Sequence, residues 1–262
     1  MLHIFTLLGA SFTLVMALML IFWLIYLFQR RACVIDIGWS LGFIVAAWSY
    51  LILGNGDLWK MLVMTAMVTI WAGRLTMHLF RRYRADGRED PRYQDVLSKW
   101  DPDSATLFFL MLSIFQGVLI VVLSIPFFLV SIGSNDIWTQ SEAVGVILWL
   151  IGVGGETLAD RQLEAFHKES VDKDAVYKKG LWRFSRHPNY FFESITWFGF
   201  AIFAFSSSAG WLALISPILI MVLLFKVSGI PLTEMHALRT RGEAYREYQR
   251  TTSVFVPWFP KG

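Results

Sequence analysis

The sequence of 262 residues contains a single cysteine, Cys33, which excludes an internal disulfide and a cysteine-based metal cluster. Charged residues are also scarce at 16%, against 56% apolar residues, and this balance excludes an ordinary soluble domain. No Lys or Arg precedes the first apolar run, so a cleavable signal peptide is not expected. His78 and His167 have no partners at metal-ligand spacing, and we therefore predict no metal site.

Long apolar runs are what the sequence has in abundance. Stretches of about twenty residues recur, each long enough to cross a ~30 Å hydrocarbon core as a helix that satisfies its own backbone groups. We therefore predict an all-α integral membrane protein with about seven transmembrane helices, forming a single transmembrane domain over residues 1–262. The predicted spans are 5–29, 33–54, 58–80, 105–131, 138–160, 189–205 and 210–228.

Two prolines and a glycine cluster lie inside these predicted spans. Pro126 and Pro217 predict kinks, because proline cannot donate the helical hydrogen bond. The segment Gly152-Val-Gly154-Gly155 is similar to a dinucleotide-binding fingerprint, but no strand precedes it. Close packing of two helices is therefore the favoured interpretation of these glycines.

The 23 Lys and Arg residues lie almost entirely on one side of the predicted spans. Only Lys60 lies beside a loop on the other side, and Arg74 falls within a span. By the positive-inside rule the basic side is cytoplasmic, which predicts an external N-terminus and a cytoplasmic C-terminus. Because the basic residues orient the chain in its lipid bilayer, we predict no nucleic-acid partner. The sequence leaves the oligomeric state open.

Polar residues within the spans gather near the cytoplasmic face. Asp36 opens the second span, and Arg74 lies about two turns before the end of the third. Asp160 follows Glu156 by four residues, so these two side chains share one helical face. Ionisable groups in a membrane are costly and mark either a functional site or a structural pair.

These groups predict a polar cavity open to the cytoplasm, covered by loops 81–104 and 161–188 and by the tail 229–262. Both loops are far longer than the ~2–8 residues that join packed helices. The alternative interpretation is that Asp36 and Arg74 form a packing ion pair and that the basic loops only orient the chain.

The most specific segment is Gly180-Leu-Trp-Arg-Phe-Ser-Arg-His-Pro-Asn-Tyr190. Its proline favours the first turn of a helix, whose free N–H groups attract anions. Three side chains would complete this anion site: Arg183, Arg186 and His187. Asn189 and Glu193 then suit an amide or a ribose, and Tyr190 or Trp197 offers a ring for stacking. This set suits a nucleotide better than a metal.

Together with the tail Gly242-Glu-Ala-Tyr245-Arg-Glu-Tyr248, this segment resembles the C-terminal domain of the steroid 5α-reductase and sterol-reductase superfamily. Isoprenylcysteine carboxyl methyltransferases share part of the pattern. Three further blocks are similar to a bacterial branch of that superfamily described only as a domain of unknown function. They are Asp36-Ile-Gly-Trp39, Trp71-Ala-Gly-Arg74-Leu and Gly87-Arg88-Glu89-Asp90-Pro91-Arg92-Tyr93. The resemblance runs from about residue 30 to 258 and implies a bacterial inner (cytoplasmic) membrane.

The resemblance implies an NADPH-dependent reductase of a carbon–carbon double bond in an apolar substrate, steroid-like or isoprenoid, that enters from the bilayer. The nucleotide contacts that it implies are Asp160, Asn189, Glu193 and Trp197, with Arg88 as a phosphate partner and His236, Arg239 and Tyr245 in the tail. Neither the substrate nor a preference for NADPH over NADH follows from the sequence.

The resemblance also implies a catalytic acid, which in steroid reductases is a Glu–Tyr pair from the second and third spans. In this chain Trp71 stands at the position of the tyrosine and cannot donate a proton. Asp36 is the available carboxyl group, but a neighbouring Arg74 would hold it ionised. We take Asp36, Trp39 and Arg74 as the candidate catalytic residues, and the proton donor stays open.

Two other functions remain open at this point. Arg-His-Pro-x-Tyr and the Gly-x-x-Tyr-x-x-Tyr tail also occur in membrane methyltransferases that use S-adenosylmethionine. A membrane protein that keeps the fold without catalysis is the third hypothesis. The Asp36–Trp39 and Glu89–Tyr93 blocks favour the reductase, whereas Trp71 favours the protein without catalysis.

Overall fold

Helices form all the regular secondary structure in the residues that the structure, a computed structural model, describes: 2–86, 91–133, 137–170 and 175–260. This confirms the all-α prediction. The α-helices are α1 (Leu2–Gln29), α2 (Val34–Leu53), α3 (Leu58–Asp86), α4 (Pro91–Lys99), α5 (Pro102–Leu123), α6 (Ile125–Ile132), α7 (Gln140–Glu169), α8 (Pro188–Phe203), α9 (Ile215–Val222) and α10 (Ile230–Thr251). Short 3₁₀ turns precede α8 (Gly180–Arg183) and follow it (Ala204–Ser206, Gly210–Leu214), and a π-turn (Leu223–Val227) follows α9.

Six helical stretches within the described residues are long and apolar enough to cross a membrane. They are Leu2–Gln29, Val34–Leu53, Leu58–Arg84, Pro102–Leu123, Gln140–Glu169 and Gly210–Thr251. In the last stretch the apolar residues lie mainly before Lys226, because charged residues recur along α10. Many large apolar side chains on these helices are exposed, including Phe28, Ile52 and Trp59, as expected of surfaces that face lipid. The chain is thus a multi-pass membrane protein, and the count of seven spans stays a prediction.

Both prolines lie where a helix is interrupted. The span predicted over 105–131 is two helices, since α5 ends before Ser124 and Pro126 lies in the first turn of α6. Pro217 lies in the first turn of α9, directly after a 3₁₀ turn. The missing N–H of proline therefore falls where a helix begins and costs no internal hydrogen bond.

The chain forms two compact units. The first comprises Met1–Glu142 and Phe203–Ser216, and the second comprises Ala143–Ile202 and Pro217–Gly262. In the first unit α2 packs against α1 and α3, and α1 packs against α5. Glycine also lets α2 approach α5 closely: a Cβ atom at Gly42 of α2 would lie 2.5 Å from the Ile120 side chain of α5. The prediction of one domain stays a prediction.

In the second unit the glycines of α7 pack against α8, which confirms the packing interpretation of Gly152 and Gly155. A Cβ atom at either position would overlap α8, at Thr196 and at the ring of Phe192 respectively. From the opposite side, a Cβ atom at Gly199 of α8 would lie 2.7 Å from a backbone nitrogen of α7. These small residues let the two helix backbones approach closely.

A buried ion pair ties three segments of the first unit together. Lys60 Nζ lies 2.6 Å from Glu142 Oε1, and the two side chains are 6% and 0% exposed. Lys60 also donates to the carbonyl oxygen of Ile137 at 2.9 Å and to Ser206 Oγ at 3.4 Å, while Glu142 Oε2 accepts from the backbone N–H of Thr139 at 2.8 Å. Each charge is therefore compensated by its partner and by hydrogen bonds.

We expect Lys60→Met to destabilise the protein by about 3–5 kcal/mol, because it leaves the Glu142 carboxylate buried without its cation. The double variant Lys60→Met, Glu142→Leu should lose less, since it removes both charges. The matched control is Lys168→Met, which breaks an exposed pair with Glu164 whose side chains are 72% and 48% exposed and should cost about 1 kcal/mol or less. Thermal unfolding in detergent measures all three, and equal losses in Lys60→Met and Lys168→Met would contradict the prediction.

Candidate functional site

The arginine and histidine that precede α8 bind a carboxylate of the protein itself. Arg186 Nε donates to Glu234 Oε1 of α10 at 2.7 Å, and His187 Nε2 lies 3.2 Å from the same oxygen. The other carboxylate oxygen, Oε2, accepts from Gln249 Nε2 at 2.8 Å. The Arg-His part of the predicted anion site is therefore occupied internally, and the anion is Glu234.

These contacts set the ionisation of Glu234. Burial by itself raises the pKa of the carboxyl group, but the hydrogen bonds with His187 and Arg186 and the charge of Arg186 outweigh it. The pKa of Glu234 is lowered from its ordinary value of 4.5 to about 2. The carboxylate is thus ionised throughout the physiological range and stabilises the arrangement around it.

Arg186 also binds the end of α10. Its Nη1 donates to the carbonyl oxygens of Gln249 at 3.1 Å and Thr252 at 2.6 Å, where helical carbonyl groups lack partners and attract cations. The Tyr248 hydroxyl donates to the carbonyl oxygens of Trp182 and, at 3.2 Å, of Ser185. The Arg-His segment and the tail tyrosine motif therefore hold each other in place as a scaffold.

The start of the specific segment is joined to α7. Gly180 adopts φ +58°, a backbone conformation that favours glycine, and lies against the side chain of Gln162. The next backbone N–H, of Leu181, donates to Gln162 Oε1 at 2.9 Å, and the Trp182 indole donates to the carbonyl oxygen of Ala159 at 3.0 Å. The segment before α8 is thus fixed from both α7 and α10.

Asn189, in the first turn of α8, keeps an unused hydrogen-bonding group. Its Oδ1 atom is buried and accepts no hydrogen bond from any residue that the structure describes. A buried acceptor without a partner costs about 1–3 kcal/mol, so a ligand that donates an N–H or O–H to it would bind favourably. The amide and ribose groups of a nicotinamide nucleotide are donors of this kind, and Asn189 therefore fits the predicted cofactor.

Glu193 and Trp197 lie further along α8 and are joined to each other. The Trp197 indole N–H donates to Glu193 Oε1 at 2.8 Å, and the ring is completely buried against Phe200. The indole therefore orients the carboxylate and leaves no exposed face for a ligand to stack on. Tyr190 stacks on the His187 ring, with centroids 5.3 Å apart and planes 4° apart.

The other predicted cofactor residues occupy varied environments. Asp160 is partly buried on α7, one turn after the buried Glu156. Tyr245 is buried beside Tyr248, and burial together with the nearby charge of Glu234 raises the pKa of its phenol. Three side chains are exposed to solvent: Arg183, His236 and Arg239. Arg88 lies outside the described residues. The cofactor role of all these residues stays a prediction.

In the first unit Asp36 is paired with a tyrosine that sequence reasoning did not assign. The Tyr93 hydroxyl, from α4, donates to Asp36 Oδ1 at 2.8 Å, and Tyr93 is 8% exposed. Its ring meets the edge of Phe109, which also contacts Tyr26. A buried phenol hydroxyl is therefore held by the Asp36 carboxylate, in a chain where Trp71 stands at the position that the resemblance gives to a tyrosine.

The other catalytic candidates lie beside an aromatic row that joins α2 to α3. Trp39 meets Phe43 at 5.1 Å between ring centroids, and Phe43 meets Trp71 at 5.3 Å, both edge to face. Trp71 is 1% exposed and is therefore a core residue. Arg74 is partly buried on α3, and its pairing with Asp36 stays a prediction.

Comparison with known proteins assigns the chain to a family. The family described as "Protein of unknown function (DUF1295)" matches residues 22–252. The chain belongs to this family. An uncharacterized protein of Schizosaccharomyces pombe is 26% identical over 167 residues, which cover 55% of this chain and 48% of that protein. The chain thus spans about half the length of this curated relative. No solved structure matches the chain.

We expect Glu234→Gln to remove a pH-dependent part of the stability. Because the pKa of Glu234 is lowered on folding, its contribution is fully present above about pH 4.5 and is lost as the pH falls towards 2. Melting temperatures in detergent between pH 6 and about pH 3 should therefore fall more steeply for the parent than for the variant. Glu243→Gln, at an exposed carboxylate directly after the kink at Gly242, is the control and should follow the parent. If the melting temperature of Glu234→Gln falls with pH as steeply as that of the parent, Glu234 is not the titrating group.

Proposed function

We propose that the protein is an NAD(P)H-dependent reductase of a carbon–carbon double bond in an apolar, membrane-dissolved substrate, steroid-like or isoprenoid. The buried Tyr93–Asp36 pair carries this proposal, because it supplies the acid that such a reduction needs. Methyl transfer from S-adenosylmethionine to a carboxylate needs no acid, so the pair favours the reductase over the methyltransferase.

The proposed reaction is the reduction of an enone. Hydride would add to the β-carbon with its electron pair, the π electrons would move to the carbonyl oxygen, and the enolate would then take a proton from water at the α-carbon. Bound NADPH would supply the hydride and leave as NADP⁺. The Tyr93 hydroxyl turns from Asp36 to the carbonyl oxygen and stabilises the enolate, while the carboxylate holds the phenol in position beforehand.

The cofactor is proposed to bind at the second unit, around Asn189. The unused Oδ1 acceptor of this residue supports the assignment, and Glu193, one turn later, provides a second acceptor whose position the Trp197 indole fixes. Arg186 and His187 act here as positioning residues, since their polar atoms are directed at Glu234. They hold the first turn of α8 in place.

We further propose that α8 is a seventh, short span, which gives the external N-terminus and cytoplasmic C-terminus expected from the basic residues. α8 has 16 residues, or about 24 Å of helix, and the 3₁₀ turn Ala204–Ser206 extends it. An odd number of spans puts α10, with its many charges, in the cytoplasm. A soluble nucleotide would then reach Asn189 from that side.

We expect NADPH to stabilise the purified protein in detergent and Asn189→Ala to abolish the effect, because the variant removes the buried acceptor. A ligand at about a hundred times its Kd adds roughly 2.7 kcal/mol to the free energy of unfolding. Thermal unfolding with NADPH, NADH or S-adenosylmethionine measures this, and Arg246→Ala, at an exposed site on α10, is the control. Stabilisation by S-adenosylmethionine alone would replace the reductase with a methyltransferase.

We expect Tyr93→Phe to lower turnover by about 10²–10³-fold, because it removes the hydroxyl that stabilises the enolate. NADPH oxidation, followed by absorbance with a panel of enones and isoprenoids in mixed micelles, measures the rate. Stabilisation by NADPH should be unchanged, which separates loss of catalysis from loss of binding. The control is Tyr26→Phe, whose ring packs on the same Phe109 side chain. An equal rate in parent and Tyr93→Phe would remove this residue from the reaction.

A further inference from the structure

The last described residues, 252–260, form an uncharged apolar segment directly after a strongly charged helix. The segment reads Thr-Ser-Val-Phe-Val-Pro-Trp-Phe-Pro. Its outward side chains are among the most exposed large apolar groups of the second unit: Val256 at 54%, Trp258 at 69% and Phe259 at 76%. Such a cluster on the surface of a protein marks a site of interaction with a protein or a membrane.

The backbone of this segment is fixed along residues 184–186 in the opposite direction. Arg186 N–H donates to the carbonyl oxygen of Ser253 at 2.8 Å, and Ser185 Oγ donates to that of Phe255 at 2.7 Å. At the far end, Trp258 N–H donates to the carbonyl oxygen of Phe184 at 2.9 Å. The exposed aromatic side chains are therefore held by an ordered backbone.

The inward side chain of the segment marks where it lies on the second unit. Phe255 is buried and contacts two rings: Phe191 in the first turn of α8, and Phe225 in the π-turn after α9. Phe225 lies at the end of the last apolar stretch, beside the exposed Lys226, and Phe191 lies near the start of the apolar run of α8. The segment thus packs where the last apolar stretch meets the charged Lys226, and the end of a membrane-spanning stretch lies near the membrane surface.

The charged residues around the segment also indicate a membrane as its partner. Arg183 is exposed, and the adjacent Phe184 contacts the Phe259 ring at 5.9 Å between centroids. Lys226 is exposed beside Phe225. Exposed aromatic rings flanked by cations match the border between acyl chains and anionic headgroups, where Trp is enriched and cations are attracted.

We propose that this segment is a membrane-interface anchor, in which Val256, Trp258 and Phe259 insert at the headgroup level of the leaflet while Arg183 and Lys226 bind anionic headgroups. Because the same segment is hydrogen-bonded to residues 184–186, insertion fixes the start of α8 relative to the membrane surface. The anchor does not depend on the proposed reductase activity, since it rests on lipid contact alone.

A nitroxide at position 259 tests the anchor. Phe259→Cys in a Cys33→Ser background is spin-labelled and reconstituted into vesicles of phosphatidylethanolamine and phosphatidylglycerol. Collision rates with oxygen, which concentrates in lipid, and with a water-soluble nickel chelate are then compared. We expect oxygen to dominate at position 259. The matched control is Arg246→Cys, at a side chain that is 66% exposed on α10, where the nickel chelate should dominate.

Each other outcome would overturn the proposal. Free access of the nickel chelate to position 259, as at position 246, would mean that the segment lies in water. Low access of both reagents would mean that a second copy of the chain covers it. Replacing phosphatidylglycerol with phosphatidylcholine should make the label shallower, and an unchanged depth would remove Arg183 and Lys226 from the anchor.

Discussion

The contact between Arg186 and Glu234 is the interaction on which the second unit depends. One carboxylate, 48 residues away in sequence, binds the guanidinium at 2.7 Å, and the same guanidinium closes the end of α10. The side chains of Arg186 and Glu234 are only 10% and 16% exposed, and charges that are largely buried need partners within the protein. The start of α8, the charged tail helix and the terminal apolar segment are therefore positioned together.

This arrangement changes what the most specific sequence motif means. Arg186 and His187 bind Glu234, and Tyr248 binds the backbone of Ser185, so the motif forms a scaffold. Groups that are not consumed by the scaffold are left to carry chemistry. Asn189 Oδ1 is such a group.

The proposed proton donor comes from a different helix than the resemblance implies. A tyrosine is absent where the resemblance expects one, and Trp71 fills that position as a packed core residue. A tyrosine hydroxyl nevertheless reaches the Asp36 carboxylate, from α4 rather than from α3. A hydroxyl needs only the right position and a partner to orient it, so the element that presents it is free to differ.

The sequence by itself determined the properties that depend on neighbouring residues: the all-helical class, the long apolar helices, the helix interruption at Pro126 and the glycine packing at Gly152 and Gly155. These properties follow from hydropathy, from the missing backbone N–H of proline and from the absence of a side chain in glycine. Only the tertiary structure decided that Glu234 binds Arg186, that Glu142 binds Lys60 and that Tyr93 reaches Asp36 across 57 residues. Such pairs join residues far apart in the chain, and no local pattern specifies which carboxylate a given cation or hydroxyl meets once the helices have packed.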